Sequence, residues 1–163
     1  MFKKILIIGC GLIGSSILRG SITKKISKHY FVYEKSQKNI QKIKKINNKI
    51  KILKKLDDKL SDIDLVVLST PMSEYEKIIP NLNKYLNKNC LITDVGSTKE
   101  NILKLKNKKL SKSLDWITSH PISGSEVSGP EYGTKNLFLN KWCVLVSDRN
   151  KIKQNKLLKF WKK

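Results

Sequence analysis

The sequence predicts an α/β fold built as a doubly wound, mostly parallel sheet. Short apolar runs of strand length alternate with longer stretches whose apolar residues recur at helical spacing. The first apolar run leads straight into a glycine-rich turn, and three later runs lead into short polar loops. Strands that alternate with helices indicate a parallel sheet, because parallel strands need crossover connections. At 163 residues, the chain has the length of one domain, which we expect to span residues 1–163.

The beginning of the chain has the order strand, glycine turn, helix, strand, acid. Residues 3–8 are a short apolar run, followed at once by the turn 9–14, which reads Gly-Cys-Gly-Leu-Ile-Gly. Residues 15–22 have helical apolar spacing, and a second apolar run, 30–33, ends on Glu34. This order is the fingerprint of a Rossmann-type dinucleotide-binding domain.

Each position of the glycine turn has a physical reason in such a site. Gly9 permits the tight turn, Gly11 lets the main chain approach a pyrophosphate, and Gly14 allows close packing of helix on strand. The N–H groups at the start of the helix, at Leu12 and Ile13, are free to bind the phosphates. A glycine-rich turn in an α/β protein that binds no nucleotide is the alternative.

The acid after the second strand predicts the identity of the cofactor. Glu34 lies about 20 residues after the last glycine, where an acid hydrogen-bonds the adenosine ribose hydroxyls. A carboxylate at this place favours NAD over NADP, because it would repel a 2′-phosphate. Lys35 and Ser36, which follow it, weaken this preference.

The high positive charge first suggests a nucleic-acid partner. The formal net charge is +21, but the only arginines are Arg19 and Arg149, and the lysines are spread along the chain. Proteins that read nucleic acids rely on arginine for bidentate contacts and stacking. We therefore interpret the lysines as a solvated surface and expect no nucleic-acid partner.

The cysteines and the apolar segments bear on the compartment. Cys10, Cys90 and Cys143 are odd in number and far apart, with no metal or redox spacing, which favours a reducing compartment and no metal site. The apolar run before Cys10 is shorter than the h-region of a signal peptide, and no segment is long and apolar enough to span a membrane. We therefore expect a soluble, cytoplasmic protein.

The later elements follow from the same periodicities. A helical pattern starts at residue 37, Ser73 is placed to cap a helix that runs through Leu86, and another helix follows Glu100. A final helix has its apolar side at Leu157, Leu158, Phe160 and Trp161. The predicted strands are residues 50–53, 65–68, 90–94, 116–119 and 141–146.

Three polar loops, which begin at Ser69, Gly96 and His120, each follow a run predicted to be a parallel strand. The carboxyl ends of parallel strands meet at one edge of the sheet, where ligands bind. We therefore predict that the first loop contacts the dinucleotide through Ser69, Thr70 and Pro71. An ordinary strand-to-helix turn is the alternative.

The other two loops carry the candidate catalytic groups. His120 is the candidate acid–base residue, since histidine titrates near neutral pH, and a structural histidine is the alternative. Ser97 is placed to share a hydrogen bond with a substrate hydroxyl and His120. Glu126 either binds substrate, gates the site or is a solvated loop acid. Asp94 is predicted to cap the loop that follows it, and Lys99 to begin a helix.

Three motifs occur in the same order and at similar spacing in one known family. They are the glycine turn with the two serines after it (residues 9–16), Asp-Val-Gly-Ser-Thr-Lys (residues 94–99) and His-Pro-Ile-Ser-Gly-Ser-Glu (residues 120–126) with Ser-Gly-Pro at residues 128–130. The sequence therefore resembles the prephenate/arogenate dehydrogenases, over essentially its whole length.

The resemblance implies an NAD-dependent oxidative decarboxylation in tyrosine biosynthesis. Prephenate, or arogenate in related enzymes, gives a hydride from its ring carbon to NAD and loses carbon dioxide; prephenate becomes 4-hydroxyphenylpyruvate. His120 matches the catalytic histidine that takes the proton of the ring hydroxyl, and Ser97 matches the serine that orients this hydroxyl. Ser125 and Glu126 match the substrate-side loop.

Family members continue into a helical domain that builds the homodimer and contributes an arginine for a substrate carboxylate. Neither Arg19 nor Arg149 matches that position, and the chain stops at residue 163. We therefore expect a truncated reading frame or a fragment, in which another chain or a lysine would have to supply that contact. A dinucleotide-binding module without turnover and a lysine-rich nucleic-acid binder are the alternatives from other classes.

Overall fold

The computed structural model describes residues 2–146 and 150–162, which are organised around a six-stranded parallel sheet. Its strands are β1 Phe2–Ile8, β2 Ser27–Tyr33, β3 Lys51–Leu53, β4 Leu65–Leu68, β5 Leu91–Asp94 and β6 Asp115–Trp116. The helices are α1 Leu12–Thr23, α2 Gln37–Lys44, α3 Tyr75–Tyr85, α4 Lys99–Lys109 and α5 Lys151–Trp161. The strand order β3-β2-β1-β4-β5-β6 reverses direction between β1 and β4, and it confirms the predicted fold class.

The sheet is covered on both faces because successive side chains of its central strands point to opposite sides. Leu6 and Ile8 of β1 pack with residues of α3 and α4, whereas Ile5 and Ile7 pack with residues of α1, α2 and α5. All four side chains are fully buried. A strand buried on both faces reads as a continuous apolar run, which is why the apolar runs of the sequence identified β1 and β4.

The predicted strand at residues 116–119 is wrong as a single element. It is divided between β6, in the parallel sheet, and β7 Thr118–Pro121, which pairs antiparallel with β8 Cys143–Val146 in a separate two-stranded sheet. His120 thus follows no parallel strand but lies within this hairpin, opposite Val144. The division depends on a pairing partner more than 20 residues further along the chain, which local periodicity does not reveal.

Several predicted boundaries differ from the observed ones. Ser73 does not cap α3: it lies inside a 3₁₀ turn, Met72–Glu74, and the helix begins at Tyr75 without a side-chain cap. The hydroxyl of Tyr75 donates to the carbonyl of Leu68, so tertiary contact fixes this start. The helical pattern from residue 37 ends at Lys44, and Arg149 lies outside the described residues. Among the described helices, none has the length and apolar character needed to cross a bilayer.

Candidate functional site

The glycine turn after β1 is shaped by close approach of main chain to main chain. Gly9 has a φ of +82°, and a Cβ on it would lie 2.7 Å from the main-chain nitrogen of Thr70. A Cβ on Gly14 would collide with the carbonyl oxygen of Gly9 and would lie 2.7 Å from the hydroxyl of Ser69. Gly11 differs, because no described residue beyond its two chain neighbours has an atom within 4 Å of the place where its Cβ would be. The turn therefore needs Gly9 and Gly14 for folding, and leaves open space beside Gly11.

The start of α1 faces this open space and has the features of an anion site. Its N-cap, Gly11, has no side chain to bond the first turn, and no acidic residue lies in that turn. The N–H groups of Leu12 and Ile13, both half-buried, belong to this uncapped turn. Uncapped N–H groups and the positive end of the helix dipole attract phosphate.

A pocket of about 350 Å³ lies beside the glycine turn, at the carboxyl edge of the sheet. Of the residues predicted to bind a cofactor, six line it: Gly9, Gly11, Glu34, Ser69, Thr70 and Pro71. Leu12, Ile13 and Gly14 do not line it; they form the first turn of α1 beside it. A larger cleft, of about 1080 Å³, lies between the end of α4 and the start of α5, away from every predicted site residue.

The polar groups of the pocket divide into those already bonded and those still free. Glu34 accepts hydrogen bonds from the N–H groups of Cys10 and Ser36, each at 3.0 Å, which fix its carboxylate at the pocket wall. The hydroxyl of Ser69 donates to the carbonyl of Gly9 at 2.5 Å, so it holds the glycine turn. The hydroxyl of Thr70 is buried and has no hydrogen-bond partner in the described chain. A buried hydroxyl without a partner is uncommon in folded proteins.

An ion pair lies at the same pocket. Nζ of Lys35 contacts Glu74 at 2.6 Å, and both residues line the pocket. The hydrogen bond from Lys35 is the largest cause that lowers the pKa of the Glu74 carboxyl to about 2, and Lys77 adds to it. The ammonium of Lys35, the residue after Glu34 in the sequence, therefore forms its ion pair with Glu74.

The two candidate catalytic residues occupy neighbouring segments at the same edge. Ser97 is exposed on the loop after β5, and His120 is half-buried in β7. The hydroxyl of Ser119 donates to the main-chain carbonyl of Asp94 at 2.6 Å, which brings β7 to the carboxyl end of β5. Nδ1 of His120 is buried and has no hydrogen-bond partner within the described chain, and no hydrogen bond joins it to Ser97. The structure thus places the pair on adjacent elements without a hydrogen bond between them in the described chain.

Ser125 and Glu126, predicted to contact substrate, are both exposed in the loop after β7. A hydrogen bond from the N–H of Val127 to the hydroxyl of Ser125, at 3.5 Å, is the local contact that the loop shows there. Their roles stay predictions.

Asp94 and Lys99 were undervalued by sequence reasoning. Asp94 caps its loop as predicted, through the N–H of Gly96 at 3.0 Å, and Lys99 begins α4 as predicted. The structure adds that Asp94 is fully buried and that Lys99 contacts it at 2.5 Å. Burial raises the pKa of the Asp94 carboxyl and lowers that of the Lys99 ammonium, while their contact opposes both shifts. An acid and a lysine flanking Gly96 and Ser97 were the signal available in the sequence.

Comparison with known proteins decides the family. Residues 20–163 match the family model described as prephenate dehydrogenase, nucleotide-binding domain. The chain belongs to this family. It is 32% identical over 158 residues to a prephenate dehydrogenase of Lactococcus lactis, covering 93% of this chain and 43% of that protein. It is 30% identical over 148 residues to a cyclohexadienyl dehydrogenase of Zymomonas mobilis, covering 91% of this chain and 50% of that protein.

The fold agrees with solved members of the prephenate dehydrogenase family. The crystal structure of prephenate dehydrogenase from Aquifex aeolicus, in complex with hydroxyphenyl propionate and NAD+, superposes with a TM-score of 0.85. That comparison covers 99% of this chain and 57% of the other, at 24% identity. The present chain therefore spans about half the length of the relatives it matches.

Proposed function

We propose that this chain is the dinucleotide-binding and catalytic part of a prephenate dehydrogenase. It would oxidise and decarboxylate prephenate to 4-hydroxyphenylpyruvate, with NAD as hydride acceptor. The observation that carries the proposal is the place of His120, which β7 brings to the carboxyl end of β5. The glycine turn lies at that same edge of the sheet, two strands away after β1. Relatives named as prephenate and cyclohexadienyl dehydrogenases support the substrate class.

The residues at the glycine turn fit a dinucleotide. The open space beside Gly11 and the uncapped start of α1 suit the pyrophosphate, and Thr70, whose hydroxyl has no partner in the described chain, lines the same pocket. Both carboxylate oxygens of Glu34 accept one main-chain bond each, which leaves each able to accept from a ribose hydroxyl. The carboxylate would repel a 2′-phosphate, so NAD is preferred to NADP. When bound, the nicotinamide supplies the hydride acceptor.

The chain's own residues would handle the proton and the orientation of the substrate. As the hydride leaves the ring carbon, the hydroxyl on that carbon becomes acidic, and the imidazole of His120 takes its proton. Ser97, from the neighbouring loop, would bond the same hydroxyl and hold it toward the imidazole. Loss of the ring carboxylate as carbon dioxide leaves its electron pair in the ring, which becomes aromatic. Ser125 and Glu126 would contact the remainder of the substrate.

The compartment and domain extent belong to the same proposal. All three cysteines are free thiols, and Cys10 and Cys90 are buried, as suits a protein that resides in the reducing cytoplasm. Residues 1–163 form one dinucleotide-binding domain in this proposal.

The experiment measures NADH binding and NADH formation on the same purified chain. Prephenate and arogenate are supplied separately with NAD, and each is repeated with NADP. The matched variants are His120→Asn and His29→Asn, since these are the two histidines of the chain and His29 is exposed on β2. We expect turnover that His120→Asn abolishes and His29→Asn retains, with NADH binding unchanged in both.

Other outcomes separate the alternatives. Turnover with arogenate but not prephenate would reassign the substrate within the family. Binding of NADH without turnover of either compound would indicate a dinucleotide-binding module that needs a further polypeptide. Absence of NADH binding would contradict the proposal for the glycine turn itself.

A further inference from the structure

Ser119, the residue before His120, is held by polar contacts on both its side chain and its carbonyl. Its hydroxyl donates to the carbonyl of Asp94 at 2.6 Å and lies 2.9 Å from the hydroxyl of Thr93. Its own main-chain carbonyl accepts from Nζ of Lys99 at 2.6 Å. Ser119 and Thr93 are fully buried, so water does not compete for these bonds.

The ammonium of Lys99 also binds the carboxylate of Asp94, at 2.5 Å. The side chain of Lys99 is 15% exposed and that of Asp94 is not exposed at all. Asp94 accepts two further bonds, from the indole N–H of Trp116 and the N–H of Gly96, each at 3.0 Å. A buried carboxylate with this set of donors is fixed in position, and it fixes Lys99 in turn.

This arrangement connects the two catalytic segments. Asp94 and Lys99 stand at the two ends of the loop that carries Ser97, so their contact closes that loop. The second bond of Lys99 reaches the carbonyl that precedes His120, on β7. One ammonium, with its three donors, therefore bridges the loop of Ser97 and the strand of His120.

We propose that Lys99 is a positioning residue, which fixes the main chain at His120 relative to the loop of Ser97 by binding Asp94 and the Ser119 carbonyl at once. Its effect on catalysis rests on the proposed function, whereas its effect on the geometry at His120 does not. Lys99 acts through the main chain of Ser119 and not by contact with substrate.

A simpler role for Lys99 is to neutralise the buried charge of Asp94. The two roles differ in what a second substitution restores. Lys99→Met alone leaves an unpaired buried carboxylate, which destabilises the fold. Adding Asp94→Asn removes that charge and restores stability, but it leaves the Ser119 carbonyl without its donor.

The experiment uses the full chain labelled with ¹³C-histidine, in which the two histidines give two sets of imidazole signals. The signals of His120 report the geometry of interest, and those of His29, on β2, serve as the internal control. Spectra, thermal stability and NADH affinity are compared for the unmodified chain, Lys99→Met, Asp94→Asn and the double variant Asp94→Asn/Lys99→Met.

We expect the double variant to be more stable than Lys99→Met, with His120 signals shifted and broadened in both. Asp94→Asn, which retains the bond from Lys99 to Ser119, should keep His120 signals close to the unmodified ones. The His29 signals and the NADH affinity should not change in any variant. His120 signals that return to their original positions in the double variant would show that Lys99 only neutralises Asp94. If Lys99→Met fails to fold, the double variant still decides between the two roles.

A kinetic measurement extends the test when the chain turns over substrate. The double variant should lower kcat by about tenfold to a hundredfold, the effect of a misplaced catalytic group, with the KM for NAD unchanged. A lowered kcat/KM with an unchanged kcat would contradict the proposal. Absence of turnover in the unmodified chain would count against the proposed function alone, because the imidazole signals are read without substrate.

Discussion

The glycine turn and the β7–β8 hairpin lie at the same edge of the sheet but present different surfaces. The turn is packed from behind by Ser69 and Thr70, and its pocket has walls on several sides. The hairpin places His120 on a face whose neighbours are exposed apolar side chains. These are Ile122 at 52% exposure, Trp142 at 83% and Val144 at 47%.

The difference follows from which face of the hairpin is covered. His120 pairs with Val144, so these two side chains share a face. Two residues further on, the N–H of Ile122 donates to the carbonyl of Trp142, so this pair continues the same face. The opposite face carries Ser119 and Leu145, which are buried or packed against the core. The pocket beside the glycine turn thus has described residues on several sides, whereas the surface around His120 carries exposed apolar side chains.

The largest expected effect comes from a substitution in the glycine turn, the closed region of the two, whereas the β7–β8 hairpin is the open region. Gly14→Ala places a methyl group against the carbonyl of Gly9 and the hydroxyl of Ser69, neither of which can move without shifting the turn. We expect a loss of roughly 3 kcal/mol in unfolding free energy, as for an overpacked core site. For a chain of this length, that is a fall in Tm of roughly 6–12 °C.

The control for Gly14→Ala is Gly124→Ala, since Gly124 lies in the loop after β7, where the described chain beyond its two neighbours has no atom within 4 Å of its Cβ position. Calorimetry on both variants checks the prediction. Equal Tm values for the two variants would contradict the packing described for the glycine turn.

The second prediction separates folding from binding within the closed region. Gly11→Ala adds a methyl group to open space, so the Tm should stay within about 2 °C of the unmodified chain. The same methyl group occupies the approach of the pyrophosphate, and we expect NADH affinity to fall at least about tenfold, or 1.4 kcal/mol. Fluorescence titration with NADH measures it. An unchanged NADH affinity would contradict the position of the pyrophosphate beside Gly11.

The third prediction concerns the open region. Trp142→Ser removes the most exposed apolar side chain described, so the unfolding free energy should change by less than about 0.5 kcal/mol. Binding of a hydrophobic dye such as ANS should fall, because the apolar face around His120 becomes smaller. Leu157→Ala, at a fully buried position of α5, is the contrast and should cost about 2–5 kcal/mol. A large loss of stability in Trp142→Ser would show that this face is packed.

The smallest expected effect is a pH dependence at the pocket rim. Hydrogen bonds from Lys35 and Lys77 lower the pKa of Glu74 to about 2, below the ordinary value of 4.5 that it has when unfolded. The unfolded chain therefore binds more protons between these values, and the stability from this group is present above pH 4.5 and lost as the pH falls toward 2. Glu74→Gln should flatten this part of the curve slightly, since the pair is exposed to solvent. Urea unfolding at pH 5 and pH 3 gives the change in unfolding free energy between these pH values for the unmodified chain and for Glu74→Gln. An equal change in both would show that the ion pair contributes nothing.

The closed region could be predicted from the sequence because its determinants are local. Gly9, Gly11 and Gly14 lie within six consecutive positions, and Glu34 follows at a fixed distance along the chain. What could not be predicted was the hydrogen bond that the hydroxyl of Ser69 donates to the carbonyl of Gly9 in the glycine turn. That contact joins residues 60 positions apart, which no local pattern records.

The open region was harder to predict, because its structure also depends on contacts between residues far apart in the sequence. Residues 116–119 have the composition of one strand, but a partner at residues 143–146 takes the second half away from the parallel sheet. Likewise, Lys99 has the spacing of an ordinary first residue of a helix. Only the folded chain brings Ser119 and Asp94 to its ammonium.

The segment between β7 and β8 is held near its middle by contacts with α1 and α2. Arg19 donates to the carbonyl of Pro130, the N–H of Thr134 donates to the hydroxyl of Ser16, and Lys42 pairs with Glu131. In polymer terms, this divides one loop of about twenty residues into shorter tethered spans. The span that carries the predicted substrate contacts has about eight residues, so the entropic cost of closing it is lower by about 0.8 kcal/mol than that of the undivided loop. A molecule that orders this span would therefore have less disorder to remove.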